Sequence, residues 1–288
     1  MTPNNTPSAE MFLQQQEVLP SEALFLDYAH YLLDLAGITQ LPVRLDLVRA
    51  QLNLKRHAGP LSVNRGFLHD GKVIFINSDD PDTVQRFTEA HEIMETLVKA
   101  LRPNIPSHQR MKFDQDKESW CERGAAELLM PSNLFFPIIQ KEGISLKVAR
   151  QMASLCQTSL TAAVRRMLDS DLAACIFAIL QEGYKKHQLV PSQTGQESLW
   201  GKPSDWDPPA ELRVWKHWKS PQVKNGLVRN ESFSRESVAY RVFQAGSAGE
   251  VLVDQEYLDL ARIKGTVHSE AMLIKINGAP AVMTLIHL

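Results

Sequence analysis

The sequence predicts an α+β protein in which a helix-rich core precedes a β-rich C-terminal domain. Three observations predict it. Apolar residues recur at helical spacing through most of residues 21–168, interrupted by three short strand-like runs. Residues 187–209 are rich in Pro, Ser, Gly and Gln, the composition of a linker. Beyond residue 210 apolar positions alternate: Leu212 and Val214, then Val238, Tyr240 and Val242, then Val251 and Val253, then Met272–Ile276, then Val282–Leu285. The expected division is a flexible N-terminal arm (1–20), a core (21–186), the linker (187–209) and a β-rich domain (210–288).

Each element has a local reason. Ser21 can cap free backbone N–H groups, and Leu24, Tyr28, Tyr31, Leu32 and Leu35 follow at helical spacing until Gly37. Pro42 to Leu52 repeats the pattern briefly, with Val43, Leu47 and Leu52 inward. Leu54–His57, Gly66–His69 and Lys72–Asn77 read as strands, the last two joined by an Asp70-Gly71 turn that tolerates positive φ. Val73–Ile76 has the β-branched and aromatic character of a strand on a core. Asp79-Asp80-Pro81-Asp82 suits a helix N-terminus, and the helix it starts runs to about Ala100, before Pro103. Asn104–Asp116 reads as a polar loop carrying His108. Lys117–Met130 is a helix stopped by Pro131, Ser132–Lys141 another, and 145–168 two more around Gln157-Thr158-Ser159. Leu172–Leu180 fits a strand or a buried helix. Asn277-Gly278 marks a hairpin.

Bulk properties narrow the function. A formal charge of -2 lacks the basic footprint of a dedicated nucleic-acid binder. Three cysteines, Cys121, Cys156 and Cys175, form no close pair, which fits a reducing cytosol. No apolar run is long enough to span a bilayer, and residues 1–10 lack a secretion signal. The expectation is a soluble cytoplasmic protein with no membrane partner.

The chemistry concentrates in Arg86-Phe87-Thr88-Glu89-Ala90-His91-Glu92-Ile93-Met94-Glu95. On a helix, residues i and i+4 share a face, so His91 and Glu95 can grip one metal ion. Glu92 stands roughly a quarter turn away, where a carboxylate can reach a metal-bound water without being a ligand. This is the H-E-x-x-H arrangement of zinc proteases with its second histidine replaced by glutamate. Phe87, Ala90, Met94, Leu97 and Val98 mark the apolar side of the helix, and the pair borders it. His108 could swing in as a second imidazole.

Two further segments join this one in order: Ile74-Phe75-Ile76-Asn77 before it, and Cys121-x-x-x-Ala125-Ala126-Glu127-Leu128-Leu129-Met130-Pro131 after it. Together they resemble the ImmA/IrrE family of intracellular metallo-endopeptidases over roughly residues 40–180. The Ala-Ala-Glu-Leu-Leu-Met-Pro block is the most specific part, because neither propensity nor packing demands it. The resemblance implies a zincin-like core with a small sheet beside the metal helix. It implies a third ligand on the later helix, Glu118 or alternatively Glu122, completing a set with His91 and Glu95, and Glu92 as general base. It leaves Glu127 structural, paired with a backbone group or an arginine. Zn²⁺ is the implied cofactor, with Mn²⁺ or another divalent cation as the alternative, since a second anionic ligand cancels cation charge and favours harder ions. The implied partner is a helix-turn-helix repressor, cut to release transcription in a stress response. The replacement of the second histidine also admits a catalytically degenerate regulatory or binding protein.

Two other features compete for function. Residues 145–168 have a helix-turn-helix look, with Arg165-Arg166 on or near the exposed side of the second helix, and could bind DNA; they equally fit a plain helical hairpin on the core. Trp206, Arg213, Trp215, Lys216, His217, Trp218 and Lys219 could form a stacking surface, or one core face and one solvated strand face.

Overall fold

The computed structural model describes residues 9–15, 19–184 and 210–288. The linker expected at 187–209, with Trp206, lies outside the described residues. Two compact units emerge: Met1–Glu142 with Arg150–Arg166, and Gly143–Ala149 with Met167–Leu288.

The first unit is helical around a small sheet. Helix α1 (Ala9–Leu13) occupies part of the stretch expected to be a flexible arm; it folds because Phe12 is buried against Tyr28 and Tyr31 at ring distances of 5.1 and 5.2 Å. Helix α2 (Glu22–Leu35) is capped by Ser21, whose Oγ accepts from the Leu24 amide at 3.4 Å. Helix α3 (Leu45–Gln51) leads into strand β1 (Lys55–Gly59), then β2 (Gly66–His69) and β3 (Val73–Asn77). The sheet order is β1-β3-β2, with β1 parallel and β2 antiparallel to β3. Asp70 and Gly71 take φ of 48° and 69° in the β2–β3 turn, the left-handed pair an Asp-Gly hairpin needs.

Helix α4 (Asp82–Leu101) crosses this sheet and packs on helix α5 (Ser107–Leu129), which also packs on α2. Phe25, Tyr28, Leu32, Ile74, Ile76, Ile93, Met94, Leu97 and Leu128 are fully buried between these elements. The polar loop expected at Asn104–Asp116 is instead mostly the first ten residues of α5. No breaker follows Pro106, and Phe113 is buried with its ring 6.0 Å from Trp120, two turns on, so one apolar anchor carries the polar turns into the helix.

Helices α6 (Ser132–Glu142), α7 (Leu146–Cys156) and α8 (Leu160–Leu168) follow. Arg166, read as exposed, is buried: its Nε donates to the Met130 carbonyl at 3.0 Å and its Nη2 pairs with Glu127. Glu127 also accepts from the Ser132 amide at 2.7 Å and from His30 Nε2 at 2.8 Å. It therefore joins a backbone group and an arginine at once. Burial pushes its carboxyl up, but Arg166, the Ser132 amide and His30 outweigh that and hold it below the usual range.

The second unit is an antiparallel five-stranded sheet ordered β5-β4-β8-β7-β6: β4 (Cys175–Gly183), β5 (Glu211–Lys219), β6 (Val251–Asp259), β7 (Lys264–Ile276) and β8 (Ala279–His287). The ambiguous Leu172–Leu180 segment thus resolves as a strand. It pairs with β8 in the middle of this sheet, so the unit starts before residue 210 and the expected core boundary at 186 falls too late. One sheet face carries Ile176, Ala178, Leu180, Val214, Val282 and Ile286 in a single buried cluster, covered by helix α9 (Val238–Ala245). The alternation at Val238, Tyr240 and Val242 had suggested a strand. Ser237 caps a helix there, accepting from the Tyr240 amide at 3.3 Å, and Gly246 ends it at φ 68°.

On β5, Arg213 is buried and bonded to the carbonyls of Gly183 and Asn230, while Trp218 stacks on Phe177 at 5.3 Å. Lys216 lies over Trp215 at 4.5 Å. These contacts are those of a packed strand. Among the described residues no helix is long and apolar enough to cross a membrane.

Candidate metal centre

Helices α4 and α5 bring the site together. His91 and Glu95 lie one turn apart on α4, and α5 presents Glu118 and Cys121, also one turn apart, to the same place. His91 Nε2 stands 3.5 Å from Glu118 Oε2, and Cys121 Sγ stands 3.7 Å from Glu95 Oε1. Among the described residues, the cluster of possible ligands whose donor atoms all lie within 4.8 Å of one another is His91, Glu95 and Cys121. Donors at ~2.0–2.3 Å from a shared tetrahedral ion lie about 3.3–3.8 Å apart. Both separations match that spacing; the 3.5 Å between His91 and Glu118 exceeds the usual ~2.7–3.2 Å of an N–H···O bond, and the protonated Cys121 thiol donates to Glu95 Oε1 over its 3.7 Å. The donor set therefore fits a divalent cation.

Glu118 is at the rim, with 61% of its side chain exposed and Lys117 Nζ 3.6 Å away. Glu122 is exposed on α5 and stands outside the cluster. His108 is exposed in the first turn of α5, bonded to Gln109 at 3.3 Å, also outside it. Cys121, a member of the sequence motif but not among the expected ligands, is fully buried. Its position three residues after Glu118 is the signal that would have found it, since i and i+3 share a helix face.

Glu92 is buried beside this cluster. Burial, then the negative charges of Glu95 and Glu118, push its carboxyl up to about 7, against a backbone hydrogen bond from Leu68 and the charge of Lys99. Leu68 belongs to β2, the edge strand beside α4, and its carbonyl accepts from Lys99 Nζ at 2.9 Å. Burial also pushes the Cys121 thiol up, with Glu95 and Glu118 adding to it.

The frame around these residues is ionic as well as apolar. Glu89, buried two residues before His91, receives Arg49 Nε at 2.5 Å and Arg56 Nε at 3.0 Å, tying α4 to α3 and β1. A cavity of about 550 Å³ lined by Leu13, Leu19, Ala100, Leu101 and Ile105 lies at the far end of α4, nine residues or about 13 Å along the helix from His91. It holds none of the cluster residues.

A helix carrying H-E-x-x-E, a small sheet at its side and a second helix supplying further possible donors resemble a metallopeptidase-type centre. Residues 49–168 match the model of the IrrE N-terminal-like domain, a peptidase family. The radiation response metalloprotease IrrE of Deinococcus deserti is 30% identical over 111 residues, which are 37% of this chain and 40% of that protein. The chain thus spans about two fifths of the length of the curated relative it matches. A Mycobacterium tuberculosis transcriptional regulator shares the fold at a TM-score of 0.58 with 9% identity, over 97% of this chain and 79% of that one.

Proposed function

We propose that this protein is a metal-dependent endopeptidase with a zincin-like core. One observation carries the reading: an imidazole and a carboxylate one turn apart on α4 meet donors from α5 beside the buried carboxylate of Glu92. His91, Glu95 and Glu118 would hold zinc or another divalent cation such as manganese. When bound, the ion supplies Lewis acidity that polarises a peptide carbonyl and makes water easier to deprotonate. Glu92 takes the proton of the attacking water and delivers it to the leaving amine. Its burial keeps competing water away from that proton transfer.

The substrate in this reading is a cytoplasmic regulatory protein of the helix-turn-helix repressor type, cut at one site so that transcription resumes under stress. Support comes from the likeness to a relative whose name joins a radiation response to a metalloprotease. The test is incubation of the full chain, loaded with Zn²⁺ or Mn²⁺, with a helix-turn-helix repressor encoded beside its gene. Single-site cleavage by the wild type, reduced about 10²–10⁴-fold in a folded Glu92→Gln variant, is the expected result.

Absence of cleavage with either ion favours the second reading, a protease-like regulatory protein without turnover. Glu95 in place of a neutral imidazole is the observation behind it, because an anion there weakens the ion's pull on water. A DNA-binding role for residues 145–168 has less behind it, as Arg166 is committed to Glu127.

A further inference from the structure

We propose that Cys121 is itself a metal ligand, so that the centre is held by an imidazole, a carboxylate and a thiolate, with Glu118 as an exchangeable outer donor. The inference rests on the metal-centre reading above and changes its chemistry. Three structural observations carry it. Cys121 Sγ, with His91 and Glu95, completes the cluster whose donor atoms lie within 4.8 Å of one another. Its distance of 3.7 Å from Glu95 Oε1 is close to the about 3.5 Å expected for a sulfur and an oxygen on one tetrahedral ion. Glu118, by contrast, is mostly exposed and shares its carboxylate with Lys117, so it approaches from the open side while Cys121 closes the floor.

A buried cysteine is ordinarily a small apolar filler. Cys156 and Cys175 are buried too, but neither belongs to such a donor cluster. The Cys175 sulfur meets His287 Nδ1 at 3.3 Å, whereas the Cys121 sulfur meets a carboxylate oxygen that belongs to the same donor cluster. On binding, the thiol releases its proton to solvent and the sulfur becomes an anion. Glu95 and the thiolate together balance a dication, which makes Glu118 dispensable for charge and free to give way to a substrate. A thiolate is a soft donor. It turns a carboxylate-rich set that would accept Mn²⁺ or Mg²⁺ into one that selects Zn²⁺ or Co²⁺.

The experiment is X-ray absorption on the zinc-loaded full chain, with the electronic spectrum of the cobalt-loaded protein beside it. The expected result is one sulfur scatterer at ~2.3 Å among lighter donors at ~2.0–2.2 Å, and a sulfur-to-cobalt charge-transfer band. Cys121→Ser should lose the band while keeping the weaker visible cobalt bands, and should discriminate zinc from manganese less. Cys156→Ser and Cys175→Ser should keep it. If Cys121→Ser does not fold, the wild-type zinc spectrum decides alone. A bound ion with only nitrogen and oxygen neighbours overturns the thiolate assignment and leaves the metal centre standing. Failure of the wild type to retain either ion overturns both. A band lost in either of the other cysteine variants also rejects Cys121.

Discussion

Gly124 of α5 faces Met94 of α4 so closely that a Cβ on the glycine would come within 2.6 Å of the Met94 sulfur and 3.3 Å of the Phe25 carbonyl oxygen. The absent side chain sets how near α4 and α5 approach. Met94 immediately precedes Glu95, and Gly124 lies three residues after Cys121, so this contact and the donor cluster share one interface. Gly124→Ala should push α5 outward and cost about 1–3 kcal/mol, the usual scale of overpacking. Thermal unfolding reads the stability, and a chelator competition reads the accompanying loss of metal affinity. Met94→Ala in the same chain should recover part of both, because the clash is with its side chain. Strict additivity of the two changes would show that they do not share a contact.

The Glu127–Arg166 pair predicts a large stability effect remote from the metal. Both side chains are almost entirely buried, and Glu127 pairs with Arg166 while accepting the Ser132 amide. Glu127→Ala removes a carboxylate partner from a buried guanidinium and should cost about 3–5 kcal/mol in denaturant unfolding. Because the folded carboxyl sits below its ordinary value, the wild-type contribution is present above the usual carboxylate range. It is lost as pH falls through the depressed value. The variant should therefore show a shallower acid decline than the wild type.

In the second unit, His287 lies between Cys175 Sγ at 3.3 Å from its Nδ1 and Glu270 Oε1 at 3.1 Å from its Nε2. These two hydrogen bonds, Cys175 first and Glu270 second, outweigh burial and raise the imidazole to about 9. A raised folded value favours the protonated ring. The contribution is complete below the ordinary 6.5, fades as pH rises and is gone above about 9. It amounts to at most about 3 kcal/mol. Unfolding of the full chain between these pH values should show the decline, and NMR titration of His287 should show its value moving down in Glu270→Gln. An unchanged titration in that variant rejects the role of the carboxylate.

Replacing the unusual ligand tests how much the site depends on it. Glu95→His removes one negative charge and supplies an imidazole, a donor that zinc prefers to a carboxylate. The preference for zinc over manganese should rise by about tenfold or more in competition with a coloured chelator. A preference left unchanged would mean that Glu95 is not a ligand.

What was legible in the sequence follows from which forces are local. The spacing of His91, Glu92 and Glu95 determines their faces on a helix wherever that helix packs, and the Asp70-Gly71 and Asn277-Gly278 turns carry their own φ requirements. Those features were readable residue by residue. Which side chains α5 would offer to α4 was not. Helix spacing leaves Glu118, Cys121 and Glu122 all near one face, and only the closeness allowed by Gly124 puts the Cys121 sulfur near Glu95 while Glu122 stays in solvent. The burial of Arg166 and the place of β4 in the C-terminal sheet were likewise decided by partners far along the chain, Glu127 and β8. Local chemistry determined the elements and the shared helix face of His91 and Glu95. Long-range packing, which depends on shape and on charges with distant partners, decided which α5 side chain meets Glu95 and where the second unit begins.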